Sequence, residues 1–240
     1  MNAAIPCPIP SPSSTDAAEG VLLLIPAGGR GVRMGGGVPK QFRDWGGVPL
    51  LRATIQAFLG PGMPPIAGIA LAVPPDYLEE VRSWVLGVPT WVVVGGGTRQ
   101  ESVRQALEAA QVSGNMPVLI HDAVRPFPPA RPIWQAIAAL EAWDGAVLAE
   151  ASTDTLKRVD PEGRVLATVP REEIYRAQTP QVARLQAWRR AFGWAVESGF
   201  EGTDDVSLLE AMGMRVRIIP SPSSNLKLTT PEDWVRAPQR

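Results

Sequence analysis

Short apolar runs alternate with longer stretches of helical spacing along most of this chain. Residues 21–25 (VLLLI), 66–73, 91–94, 118–121, 146–149 and 216–219 read as strands. Their near-continuous apolar character is that of strands buried on both faces. Between them, Leu50, Leu51, Ile55 and Phe58 recur at helical spacing over residues 49–59. Further helices are expected at 76–86, capped by Asp76, and at 99–110, 131–143 and 183–198. Two more run from a Thr203-Asp204-Asp205 cap to about Gly213 and from Pro231 to residue 236. This alternation predicts an α/β fold with a mainly parallel sheet and helices on both faces.

The pattern breaks in two places. Residues 1–20 carry four prolines and three serines and read as a disordered leader, without the basic start and apolar core of a secretory signal. Between residues 150 and 181, two short extended runs flank Asp160-Pro161-Glu162-Gly163, which has the chemistry of a hairpin tip. Thr155, Lys157 and Val159 alternate with Leu156 and Arg158, so neither face is cleanly apolar. A two-stranded ribbon is not stable alone. It calls for a partner surface, and a second copy of the chain is the simplest one.

Composition narrows the function. At 240 residues the chain can hold one large α/β domain or two small ones. A net charge of −1 provides no general field for nucleic acid, so no nucleic-acid partner is expected. Cys7 is the only cysteine, which excludes an intrachain disulfide and suits a reducing cytoplasm. No apolar span is long enough for a membrane helix. His121 is the only histidine, which excludes a site built on several imidazoles.

Chemistry concentrates after the first strand. Residues 21–41 contain six glycines, three basic residues (Arg30, Arg33 and Lys40) and no acid. Glycines let backbone N–H groups approach a ligand closely, and clustered N–H groups with cations favour a phosphate ester. It is not a dinucleotide fingerprint, because Met34 replaces the third glycine and no acid follows near residues 50–53. Nor is it an ATP-type loop, because Pro39-Lys40-Gln41 stands where Gly-Lys-Ser/Thr belongs.

In a parallel sheet, the segments that follow the strands gather along one edge, here 27–40, 95–102, 122–125 and 225–227. Asp122 is the acid that directly follows a central strand, and beside a polyphosphate it suits Mg²⁺. The competing role is an N-cap or a partner for Arg125. Gly95-Gly96-Gly97 with Arg99 and Ser102 reads equally as a second anion loop or as a tight turn before a helix. Lys227 alone would be a solvated charge, and His121 a packing residue at a strand end.

Taken in order, the motifs resemble the 2-C-methyl-D-erythritol 4-phosphate cytidylyltransferases. The matching stretches are Ala27 to Met34 with Pro39-Lys40-Gln41, GGGTRQESV at 95–103, HDAVRP at 121–126, DTLK at 154–157, TPQ at 179–181, TDD at 203–205 and NLKLTTPED at 225–233. The resemblance implies a single Rossmann-like domain of nucleotidyltransferase type, residues 21–238, with a protruding β-hairpin dimerisation arm at 150–171. It implies transfer of a cytidylyl group from CTP to methylerythritol phosphate, with release of pyrophosphate, in non-mevalonate isoprenoid synthesis.

Arg33 and Lys40 match the cations that stabilise the transition state, and Asp122 matches the Mg²⁺-associated acid. Ala27, Gly28, Gly29, Gly31, Gly96, Ser102, Asp122 and Ala123 match nucleotide-binding positions. Arg171 and Lys227 match the residues that hold the acceptor phosphate, with Thr155, Thr179 and Arg125 as further positioning contacts. The hairpin would cross to the partner of a homodimer, so Thr155 and Arg171 would act in trans. Gly28 and Pro26 depart from the usual pattern, where small residues with alanine at position 28 are common. Two rivals remain, a ribitol 5-phosphate cytidylyltransferase and a non-catalytic nucleotide-sensing module.

Overall fold

The structure, a computed structural model, describes residues 20–29 and 37–237. In chain order its strands are β1 (Val21–Pro26), β2 (Asp44–Trp45), β3 (Val48–Pro49), β4 (Ile66–Val73), β5 (Thr90–Val94) and β6 (Pro117–Ile120). They continue as β7 (Gly145–Ala151), β8 (Leu156–Val159), β9 (Val165–Val169), β10 (Tyr175–Arg184) and β11 (Val216–Pro220). The helices are α1 (Leu50–Phe58), α2 (Leu78–Arg82), α3 (Arg99–Ala109), α4 (Ala130–Ala139), α5 (Leu185–Ser198), α6 (Val206–Ala211) and α7 (Pro231–Arg236).

Seven strands form one sheet in the order β11-β7-β10-β6-β1-β4-β5. Only β10 runs antiparallel, against β6 on one side and β7 on the other. The other contacts, β1 with β4 and β6, β4 with β5, and β11 with β7, are parallel. Strand β1 shows how the sequence builds the layers. Val21, Leu23 and Ile25 pack into a core with α1 and α4, while Leu22 and Leu24 face a second core with α3, α5 and α6. Alternation along a strand therefore serves two helical layers at once, which is why the run carries no polar position. This is a Rossmann-like, three-layer α/β/α domain.

Two expectations need correction and a third is sharpened. Strand β10 was not foreseen, because residues 150–181 read as the break that holds the hairpin; its Pro180 is also a residue that central strands disfavour. The structure puts that proline inside a register irregularity between Ala177 and Gln181, where a missing N–H costs the ladder least. The helix expected at 76–86 shrinks to α2, and Asp76 lies in a 3₁₀ turn, Pro75–Tyr77, that has no side-chain cap. The second helical acid cap is Asp204, which accepts the Ser207 N–H at 3.0 Å, while Asp205 turns inward.

The hairpin at 150–171 is present as a separate two-stranded sheet of β8 and β9. Its Val159, Val165 and Leu166 are each at least half exposed. Among the described residues, no helix is long and apolar enough to cross a membrane. The leader, Gly31 and Arg33 lie outside the described residues, Gly20 excepted.

Candidate active site

The exits of β1, β4, β5 and β6 open onto one cleft of about 1250 Å³. Its floor depends on two glycines. A Cβ on Gly28 would lie 3.2 Å from the Gly95 Cα, and one on Gly95 would lie 3.0 Å from the Gly28 Cα. The loops after β1 and β5 therefore touch backbone to backbone, an approach that side chains would force apart. Of the expected nucleotide contacts, Ala27, Gly28, Gly29, Gly96, Ser102, Asp122 and Ala123 all line this cleft. Lys40 and Lys227 line it too, from the turn after the glycine-rich segment and from the strap before α7.

The Gly95–Gly97 loop resolves to a self-capped turn. Ser102 Oγ accepts the Gly96 N–H at 3.1 Å and donates to the Thr98 carbonyl at 2.8 Å. Glu101 accepts the Gly97 N–H at 2.8 Å, and Thr98 Oγ1 accepts the Glu101 N–H at 3.0 Å. Those amides are already bonded and an acid sits among them, so this turn shapes the wall and is no open anion site.

Charge gathers on Asp122. Its Oδ2 accepts from Lys227 Nζ at 3.0 Å and from Arg125 Nε at 3.1 Å, and Arg99 stands 3.5 Å from Oδ1. Burial alone would raise its pKa, but Arg99, Lys227 and Arg125 outweigh it and hold the carboxyl well below the usual carboxylate range. Arg99 is held in turn by buried Asp205 at 2.7 Å. Burial disfavours the Arg99 charge, but Asp205 and Asp122 hold it firmly cationic.

Behind Asp122 the backbone is fixed by a short relay. Thr179 Oγ1 accepts the Asp122 N–H at 3.0 Å and lies 3.1 Å from His121 Nδ1, whose Nε2 is 2.9 Å from the Arg125 carbonyl. A carbonyl can only accept, so Nε2 carries the proton, and the threonine hydroxyl donates to Nδ1. His121 is fully buried, and burial lowers its pKa to about 4, which keeps the ring neutral as the relay requires. It packs edge-on against Phe58, as a structural residue.

Two expected positioning residues sit behind the cleft in one chain. Thr179 and Arg125 are buried and do not line the cleft. Arg125 spends its guanidinium on Asp122 and, at 2.7 Å, on the Asn225 carbonyl. Asn225 donates to the Thr179 carbonyl at 2.8 Å and to Gln178 at 2.9 Å. The loop 122–125 and the strap that carries Lys227 are thus one stitched unit.

Residues 21–239 match the family model for 2-C-methyl-D-erythritol 4-phosphate cytidylyltransferase, IspD. The chain belongs to this family. The cytidylyltransferase of Acidobacterium capsulatum is 39% identical over 225 residues, which cover 89% of this chain and 93% of that one. The crystal structure of the Thermus thermophilus cytidylyltransferase superposes with a TM-score of 0.72 at 34% identity, covering 90% of this chain and 95% of its own. A 4-diphosphocytidyl-2C-methyl-D-erythritol synthase from Anaerococcus prevotii gives a TM-score of 0.76 at 27% identity, covering 90% and 95%.

In this member of the family, two positions expected at the site stand apart from it within one chain. Thr155 and Arg171 are exposed, and neither lines the cleft. Arg171 donates to the Thr153 carbonyl at 2.6 Å at the base of the ribbon. Two residues that shape the cleft were missed. Asp205 had the sequence signal of a cap, and its partner Arg99 is 106 residues away. Gln41 was visible only as the end of Pro39-Lys40-Gln41. It is buried and donates to the carbonyls of Ala27 and Gly29, the residues on either side of Gly28.

Proposed function

We propose that the protein transfers the cytidylyl group of CTP to 2-C-methyl-D-erythritol 4-phosphate, giving 4-diphosphocytidyl-2-C-methyl-D-erythritol and pyrophosphate. The observation that carries this reading is the cleft itself. A glycine-built floor, Lys40, and Lys227 paired with the buried carboxylate of Asp122 meet in a space of about 1250 Å³. Membership of a family of enzymes with this activity supports it.

The acceptor's phosphate oxygen attacks the α-phosphorus of CTP. The bond from that phosphorus to the oxygen bridging to the β-phosphate breaks, and pyrophosphate leaves with the electron pair. The attacking oxygen is already ionised near neutrality, so no side chain has to remove a proton, and the chain's sole imidazole is buried and neutral. Lys40, with Arg33 as its expected companion, meets the negative charge that builds up around phosphorus, a preorganised electrostatic contribution. Lys227 and the partner's copy of the exposed ribbon, with Arg171 and Thr155, hold the acceptor.

Asp122 fits a divalent cation shared with substrate phosphates. Among the described residues no three His, Cys, Asp or Glu side chains cluster, so a cage built from protein alone is absent. Mg²⁺ needs only one or two carboxylates when phosphates supply the rest, and Asp122 lines the cleft as an ionised carboxylate. Bound there, the cation would offset the charge of the triphosphate.

Pyrophosphate release from CTP with a panel of polyol phosphates tests the reading. Methylerythritol phosphate should be strongly preferred. A clear preference for ribitol 5-phosphate would overturn the acceptor assignment, and no release with any acceptor would favour the non-catalytic module.

A further inference from the structure

Lys40, Gln41 and Phe42 form a single 3₁₀ turn, closed by Phe42 N–H to the Pro39 carbonyl at 2.8 Å and Arg43 N–H to the Lys40 carbonyl at 3.3 Å. A 3₁₀ turn has about three residues per revolution, so three successive side chains leave in three directions. Lys40 lines the cleft. Phe42 is buried in the core and stacks on Tyr77 with ring centroids 3.8 Å apart and 13° between planes. Gln41 points to the exit of β1, where Nε2 donates to the Ala27 carbonyl at 2.6 Å and to the Gly29 carbonyl at 2.8 Å.

That amide uses both of its hydrogens on the carbonyls of Ala27 and Gly29, the residues on either side of Gly28. In a planar trans peptide the C=O and N–H point opposite ways, so fixing the Ala27 carbonyl also turns the Gly28 N–H away from Gln41. The same contacts tie together the two ends of the glycine-rich segment, residues 29 and 41. Since Lys40 is the neighbour of Gln41, its backbone is set by the loop that lines the nucleotide space.

We propose that Gln41 is a positioning residue that fixes Lys40 and the Ala27–Gly29 backbone as one unit for the reaction. This rests on the cleft being a cytidylyltransferase site. A buried glutamine that bonds two backbone carbonyls is costly to replace, and Phe42 anchors the same turn in the core.

The test is a double-mutant cycle between Gln41→Met and Lys40→Ala, reading kcat, KM for CTP and the thermal midpoint of each variant. Lys40→Ala should lose at least about 100-fold in kcat, the scale of removing one transition-state donor. Gln41→Met alone should lose roughly 10–100-fold in kcat, the scale for a group that orients a reacting side chain. In the Lys40→Ala background the same change should cost less than about 3-fold, because its effect runs through Lys40. Equal losses in both backgrounds, or near-normal kcat in Gln41→Met, would overturn the proposal.

Should Gln41→Met not fold, Gln41→Glu provides the answer. Only its protonated form can donate to a carbonyl, so its turnover should recover relative to the parent as pH falls, and a profile parallel to the parent's would overturn the proposal. An unsubstituted protein without turnover would instead defeat the functional reading beneath, and this proposal with it.

Discussion

At Asp122, burial and charge pull in opposite directions, and charge wins. Burial raises the pKa of the carboxyl, while Arg99, Lys227 and Arg125 lower it further than burial raises it. Its folded value is below the unfolded one, so this stabilisation is present above the unfolded pKa and fades only as pH falls towards the folded one. At neutral pH Asp122 is therefore a fixed charge. His121 behaves differently. Burial lowers its pKa from 6.5 to about 4, so below pH 6.5 the unfolded chain takes up a proton that the folded one refuses. The His121 contribution to stability should be flat above pH 7 and fall between pH 6.5 and 5, with a slope of up to about 1.4 kcal/mol per pH unit. Urea unfolding of the parent beside His121→Gln separates this slope from those of Asp205 and Glu210, whose pKa values burial raises. A parent slope no different from that of His121→Gln in that window would contradict the buried neutral imidazole.

Among the elements, the strap that carries Lys227 is organised by α7. Asp233 Oδ2 accepts the N–H groups of Thr229 and Thr230, each at 2.8 Å, and the Thr229 hydroxyl at 2.9 Å. Thr230 returns the bond to the Asp233 N–H as a capping box, and Leu228 N–H donates to the Val124 carbonyl at 2.9 Å. Asp233→Ala should cost about 0.5–2 kcal/mol of stability, the range for a lost cap. It should also raise KM for the acceptor phosphate more than KM for CTP, since Lys227 rides on this strap. Equal or absent changes in the two KM values would show that the strap does not depend on its cap.

Elements with a single strong period or start signal were legible in the sequence: β1, α1 and the Pro231 start of α7. Strand β10 was not, because most of its residues lie in the break that holds the hairpin, and only its neighbours reveal a strand that carries a register irregularity at Pro180. Asp122 and Lys227 were legible as separate residues. Their 3.0 Å pairing was not, since nothing local marks a contact across 105 positions of chain. Asp205 was misread for the same reason: a Thr-Asp-Asp sequence looks like a cap, and its salt bridge to Arg99 exists only once α3 and α6 share a face of the sheet.

Over the whole molecule, the ribbon of β8 and β9 remains the part that one chain does not explain. It pairs only with itself, exposes apolar side chains, and carries Thr155 and Arg171 outside the cleft that their family counterparts would serve. A second copy that receives this ribbon would account for all three features. Mixing Arg171→Ala and Lys40→Ala subunits, each inactive alone, should restore activity at one of the two sites of a mixed dimer. No recovery after proven subunit exchange would place both residues in one chain's site.

The central claim is tested most directly by following CTP and 2-C-methyl-D-erythritol 4-phosphate with the protein by phosphorus NMR. Equimolar pyrophosphate and a new pair of coupled diphosphate resonances, both lost in Lys40→Ala, are the predicted result. An unchanged spectrum, or CMP and pyrophosphate with no new diphosphate, would contradict cytidylyl transfer to this acceptor.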